Sequence, residues 1–137
     1  MKIRSLILAA ALCFCGVTAA SAQVYDHNGS TVVATWGEGD DLTVTYVRPR
    51  PGLPVTSGTV LFEGASPANG SIYGTAYVFS SACGSASYRV QGRFTGNNFT
   101  LRGEAPVRDE NCRIVRYDEN ANSTLVFTYL RDDTEEH

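Results

Sequence analysis

Lysine, histidine and long helical periods are what this chain lacks. Of its 137 residues only Lys2 is a lysine, and only His27 and His137 are histidines. With one histidine near the start and one at the terminus, a histidine-based triad or a His-rich zinc centre has too few members. The zinc-protease pair of histidines around a glutamate, the nucleophile elbow, the phosphate-cradling loop and the dinucleotide fingerprint are all missing. No segment keeps a 3.6-residue apolar period, which argues against a helical domain. Beyond residue 22 the chain carries nine arginines against fourteen acids, a formal charge of −5. That balance offers no basic face, so nucleic acid is not an expected partner.

What is present begins with a leader. Met1–Arg4 is short and basic, Ser5–Ala20 is apolar and small, and Ala20-Ser21-Ala22 has the A-x-A form of a cleavage site. The run is shorter than the roughly 20 residues a spanning helix needs. Residues 1–22 are therefore expected to be a signal peptide, with a mature chain starting at Gln23. Its destination is the periplasm or the exterior, with no membrane insertion after cleavage. Residues 23–131 then form one β domain, and the acidic 132–137 a disordered tail. Cys13 and Cys15 leave with the leader. Cys83 and Cys112 remain, and an isolated pair in an exported chain predicts a disulfide.

Alternation of apolar and polar residues defines the fold class. Tyr88, Val90, Gly92 and Phe94 alternate with Arg89, Gln91 and Arg93, and Phe99, Leu101 and Gly103 do the same after the turn Thr95–Asn98. Placing Phe94 opposite Phe99 puts Val90 near Gly103 on the dry side and Arg89 near Glu104 on the wet side. Further strands are predicted at Thr31–Trp36, Leu42–Val47, Gly58–Glu63 (Val60 and Phe62 inward), Gly70–Phe79, Arg113–Tyr117 and Ser123–Leu130. Gln23–Ser30 is predicted to be a polar lead-in and Ala105–Cys112 a charged loop. The expectation is an all-β fold, a small antiparallel barrel or sandwich of about eight strands in mostly meander order with one disulfide.

In a meander, alternate loops share an end. The Cys83 turn, the Cys112 loop and Arg48–Pro54 would then sit at one pole, and Glu38, Asp40, Asp41, Asp118 and Glu119 would gather at the other. Three prolines stiffen Arg48–Pro54. Arg48, Arg50 and Arg108 would present forked donors there, suited to carboxylates or phosphates. Tyr73, Tyr77 and Phe79 would line a ligand cavity if they point inward, and a packed sheet face if they do not. The binding residues expected are Arg48, Arg50, Arg108, Tyr73 and Tyr77. No catalytic residue, metal or cofactor is expected, because the acidic turn Glu38–Asp41 lacks the spacing of a calcium loop.

Four segments carry a resemblance: YDHNGS at Tyr25–Ser30, GTVLFEG at Gly58–Gly64, the run from Cys83 to Gly92, and LRGEAPVRD followed by Cys112. They resemble small secreted bacterial proteins of unassigned activity. The resemblance implies export and a β fold and transfers no functional residue. The general plan is also similar to periplasmic β-barrel inhibitors of lysozymes and proteases, at the level of fold alone. Together these features predict a non-enzymatic binding protein whose partner is a protein or a small ligand. The alternatives are a small hydrolase using acidic-pole carboxylates and a structural envelope component.

Overall fold

A computed structural model describes residues 21–133. The expected leader up to residue 20 and the end of the tail from residue 134 lie outside the described residues. The strands are β1 (Ser21–His27), β2 (Ser30–Trp36), β3 (Asp41–Arg48), β4 (Val60–Ala65), β5 (Ser71–Ser80), β6 (Gly84–Thr95), β7 (Asn98–Arg102), β8 (Ala105–Arg108), β9 (Ile114–Asp118) and β10 (Thr124–Asp132). Eight of them close an antiparallel barrel in the order β1-β10-β7-β6-β5-β4-β3-β2, and β8 and β9 form a separate two-stranded sheet. The all-β meander and its disulfide are as the sequence pattern predicts.

The β6–β7 hairpin has the expected register, with Phe94 opposite Phe99 and Gln91 opposite Arg102. A β-carbon on Gly103 would meet the backbone of Arg89 and the Val90 side chain, so those residues approach as the pattern requires. The ladder itself stops at Gln91, because Gly103 donates its N–H to Ser123 instead (3.0 Å).

Strand membership differs from expectation at four places. Gln23–Ser30 is not a lead-in. It supplies most of β1 and the turn into β2, where Asn28 and Gly29 both take positive φ (50° and 87°). An Asn-Gly pair suits the twist of a two-residue hairpin turn. Ala105–Cys112 is not wholly a loop: Ala105–Arg108 is β8, with Ala105 and Pro106 buried. Of the predicted strand Arg113–Tyr117, Ile114–Tyr117 lies in the side sheet, paired with β8 rather than with the barrel. The last strand runs to Asp132, which pairs with Gln23 and accepts a bond from the Tyr129 hydroxyl at 2.7 Å.

The barrel interior is filled. Tyr25, Phe62, Phe99, Phe127, Leu42, Ile72, Leu101, Val32 and Val44 are fully buried inside it. Phe99 stacks on Phe127 at 4.4 Å, and Tyr25 meets the edge of Phe99 at 4.9 Å. Small barrels close around side chains in this way. Inward positions of β5 are small where the neighbouring strand is large: a β-carbon on Gly74 would come within 2.9 Å of the Phe62 ring. In β4 the buried pair is Leu61 and Phe62, not Val60 and Phe62. A bulge opposite Val44 and Thr45 inserts Leu61 as an extra residue and swings it inward.

A candidate binding site at the stapled pole

The turns after β1, β3, β5 and β7 open at one end of the barrel. They carry Asn28-Gly29, residues 49–59, the Cys83 turn and the β8–β9 excursion. Cys83 and Cys112 are bonded, with Cα atoms 5.3 Å apart. The bridge ties the tip of the long β5–β6 hairpin to the β8–β9 turn. Arg108 reinforces it by donating to the carbonyls of Cys83 (3.2 Å) and Gly84 (3.0 Å).

The 49–59 loop is fixed from within and from below. Leu53 N–H donates to the Arg50 carbonyl (3.2 Å), Val55 N–H to Leu53 (2.9 Å), and Gly58 N–H to Tyr46 (2.7 Å). The Arg50 N–H donates to the hydroxyl of the fully buried Ser30 at 2.8 Å. Leu53 and Val55 pack on the core cluster. Three prolines and these bonds leave the loop little conformational freedom to lose on binding.

Five predicted site residues separate into distinct roles. Arg50 stands exposed at the rim of the pole, and its guanidinium has no hydrogen bond or ion pair among the described residues. Arg48 ends β3, exposed beside the irregular pairing with Thr31. Arg108 has its donors committed to the Cys83 turn. Tyr73 and Tyr77 do not face the interior, because the inward positions of β5 are Ile72, Gly74 and Ala76. Tyr73 is half exposed on the outer wall, and Tyr77 donates to Glu63 Oε2 at 3.0 Å. Tyr73 borders a shallow outer groove of about 920 Å³ that also meets Arg93, Arg102, Glu104 and Glu119.

The acids do not gather at one pole. Glu38, Asp40 and Asp41 lie at the β2–β3 end. Asp118 and Glu119 precede β10, whose first residues pair with the end of β7 at the stapled end. The cause is the β8–β9 excursion, which adds two strands without adding a barrel crossing.

Sequence reasoning missed the residues beneath Arg50. His27 and Tyr46 are buried at the barrel mouth. His27 stacks on Phe127 at 4.7 Å, and its Nδ1 donates to the Val126 carbonyl at 3.0 Å. Burial holds its pKa below the ordinary 6.5, against the opposing pull of that hydrogen bond. Burial raises the Tyr46 phenol, and the Arg50 charge opposes it. Tyr88 is pushed up to about 12, chiefly by burial, and its hydroxyl donates to the Asn122 carbonyl. The signal that could have found His27 is Asn28-Gly29, since a hairpin turn there puts VYDH into a strand. Among the described residues no carboxylate lines this mouth, so they supply it with no acid pair for hydrolysis. Among the described residues no three of His, Cys, Asp and Glu cluster to hold a metal.

Comparison with protein-family models, with curated proteins and with solved structures returns no match to this chain. The disulfide is compatible with an oxidising compartment, and no helix among the described residues is long and apolar enough to cross a membrane.

Proposed function

We propose that the protein is an exported, non-enzymatic binding protein of the periplasm or the extracellular space that recognises its ligand, a protein or a small molecule, through the stapled pole. The observation that carries this is a rigid pole presenting a free cation. The 49–59 loop is pinned by the Ser30 hydroxyl, two further loops are joined by Cys83–Cys112, and Arg50 projects from them without an intramolecular partner among the described residues. Rigid loops on a β scaffold, with an arginine at their centre, make an economical recognition site because little ordering accompanies binding. Arg108 supports this surface from behind by holding the Cys83 turn.

The test is capture on the immobilised protein from an extracellular or periplasmic extract, repeated with Arg50→Ala and with Arg89→Ala as control. Arg89 lies on the outer wall of β6. Arg50→Ala is expected to weaken capture by about 1 kcal/mol or more, with the melting temperature unchanged and the control unaffected. Equal capture by both variants would move the site to the outer groove beside Tyr73.

A further inference from the structure

Below Arg50 the barrel mouth narrows to a recess of about 130 Å³. By volume it holds about four water molecules at roughly 30 Å³ each. Three of its polar side chains are almost fully buried: His27 and Tyr88 are 5% exposed and Tyr46 3%. The Tyr46 hydroxyl has no hydrogen-bond partner among the described residues, although a buried hydroxyl ordinarily has one. Tyr88 is different, since its hydroxyl is spent on the Asn122 carbonyl and serves as wall.

His27 has a fixed tautomer. The Val126 carbonyl can only accept, so Nδ1 carries the proton. Burial favours the neutral ring, which leaves Nε2 as an acceptor, and it has no hydrogen-bond partner among the described residues. Arg50 stands above, close enough for its charge to bear on both His27 and Tyr46. Leu53, Leu61 and Leu125 add apolar surface, and the exposed Asn28, Asn122 and Thr124 also line it. Beneath the Arg50 guanidinium, its two buried groups without a committed partner among the described residues are therefore a donor, the Tyr46 phenol, and an acceptor, His27 Nε2. The complement is a small anion that also carries a hydrogen-bond donor.

We propose that this recess binds a small 2-hydroxycarboxylate, of the size of glycolate or lactate. Its carboxylate accepts from the Arg50 guanidinium and the Tyr46 hydroxyl, and its own hydroxyl donates to His27 Nε2. The assignment rests on the stapled pole as the recognition surface and names the ligand class for its deepest part. A simple carboxylate would leave Nε2 unpaired, and a buried group left unpaired is what lets a site reject the analogue lacking its partner.

The experiment is titration of the purified, oxidised protein with glycolate, L-lactate, propionate and inorganic phosphate. It is read by calorimetry and by the ¹⁵N resonances of the His27 ring. Glycolate or lactate is expected to bind saturably, about tenfold or more tighter than propionate, and to shift the Nε2 resonance. Arg50→Gln and Tyr46→Phe should each weaken binding about fivefold or more with the fold intact by circular dichroism. Failure of both hydroxy acids to bind overturns the assignment, as does equal affinity for propionate or phosphate, an unmoved Nε2 resonance, or indifference to Tyr46→Phe. Partner capture that depends on Arg50, together with no hydroxy-acid binding, would keep the stapled pole as the recognition surface while removing this ligand from it.

Discussion

Gly92 sits where β6 passes so close to β7 that a β-carbon would collide with the Thr100 carbonyl and approach Leu101. The obstacle is backbone, which has no rotamer to yield. Gly92→Ala should therefore cost about 1–3 kcal/mol by overpacking, measured by urea denaturation, with near-native fluorescence of the folded state. His27 governs a different property. In the folded chain its pKa lies below the ordinary 6.5, and the unfolded chain titrates at that ordinary value. As pH falls through 6.5, the unfolded state takes up protons first. The contribution of neutral His27 to stability is thus complete above 6.5 and is lost below it, with a slope of at most about 1.4 kcal/mol per pH unit until the folded pKa is reached. Stability measured from about pH 7 to pH 5 should decline in the wild type. His27→Gln, which keeps an amide donor for the Val126 carbonyl, should flatten that decline.

Among the elements, β8 and β9 depend most on covalent support. Among the described strands they pair only with each other, β8 lies beside β6, and Ile114, Val115 and Tyr117 of β9 are about half exposed. The disulfide spans 29 residues, and on the chain-entropy model it stabilises the fold by about 3–4 kcal/mol. Replacing both cysteines by alanine should lower stability by that order. Hydrogen exchange should rise first in β8, β9 and the β5–β6 tip, while amides around Phe99 and Phe127 stay protected. The same contrast explains what the sequence pattern disclosed. The β6–β7 hairpin is legible because one face alternates cleanly and the turn is rich in Gly and Asn. β5 is legible as a strand, but its inward face is not, because both its faces carry apolar or aromatic side chains. The choice is made by its neighbour, where Phe62 fills the space that Gly74 and Ala76 leave. β1 hides for the opposite reason: Gln23, Asp26 and His27 look solvated, yet His27 is covered by Phe127 and satisfied by a carbonyl on β10, a residue about a hundred positions away. Such a partner leaves no trace in local alternation. The recess under Arg50 was equally hidden, since it joins residues of β1, β3, β4, β5, β6 and β10 with three loops.

Over the whole molecule, closure of the barrel rests on β1 against β10. Ser21 and Ala22 pair with Trp36 and Thr35, so cleavage at the A-x-A site would fall inside β1. The remaining Gln23–His27 keeps its rungs to β2, with Gln23, Val24, Tyr25 and Asp26 also paired to β10. Mass spectrometry of exported protein should show an N-terminus at Gln23, and that shortened chain should be folded, with Tyr25 still inaccessible to nitration. Unfolding on loss of Ser21 and Ala22 would place the leader boundary upstream.

The pairing of first strand with last has one more consequence. Ala22 accepts a hydrogen bond from the Asp133 N–H at 3.0 Å, so the two ends of the described chain lie side by side. The closed ring of strands has no intrinsic beginning. A circularly permuted gene could join Asp133 to Gln23 through a few glycines and open instead between Gly96 and Asn97, in the two-residue turn joining β6 and β7. Every rung of the barrel but those of Ser21 and Ala22 would be retained, and the disulfide pairing with them. What would change is the order of assembly: the β10–β1 contact becomes local, and the β6–β7 contact must be found across the whole chain. Such a permutant should reach the same native spectrum at a different refolding rate.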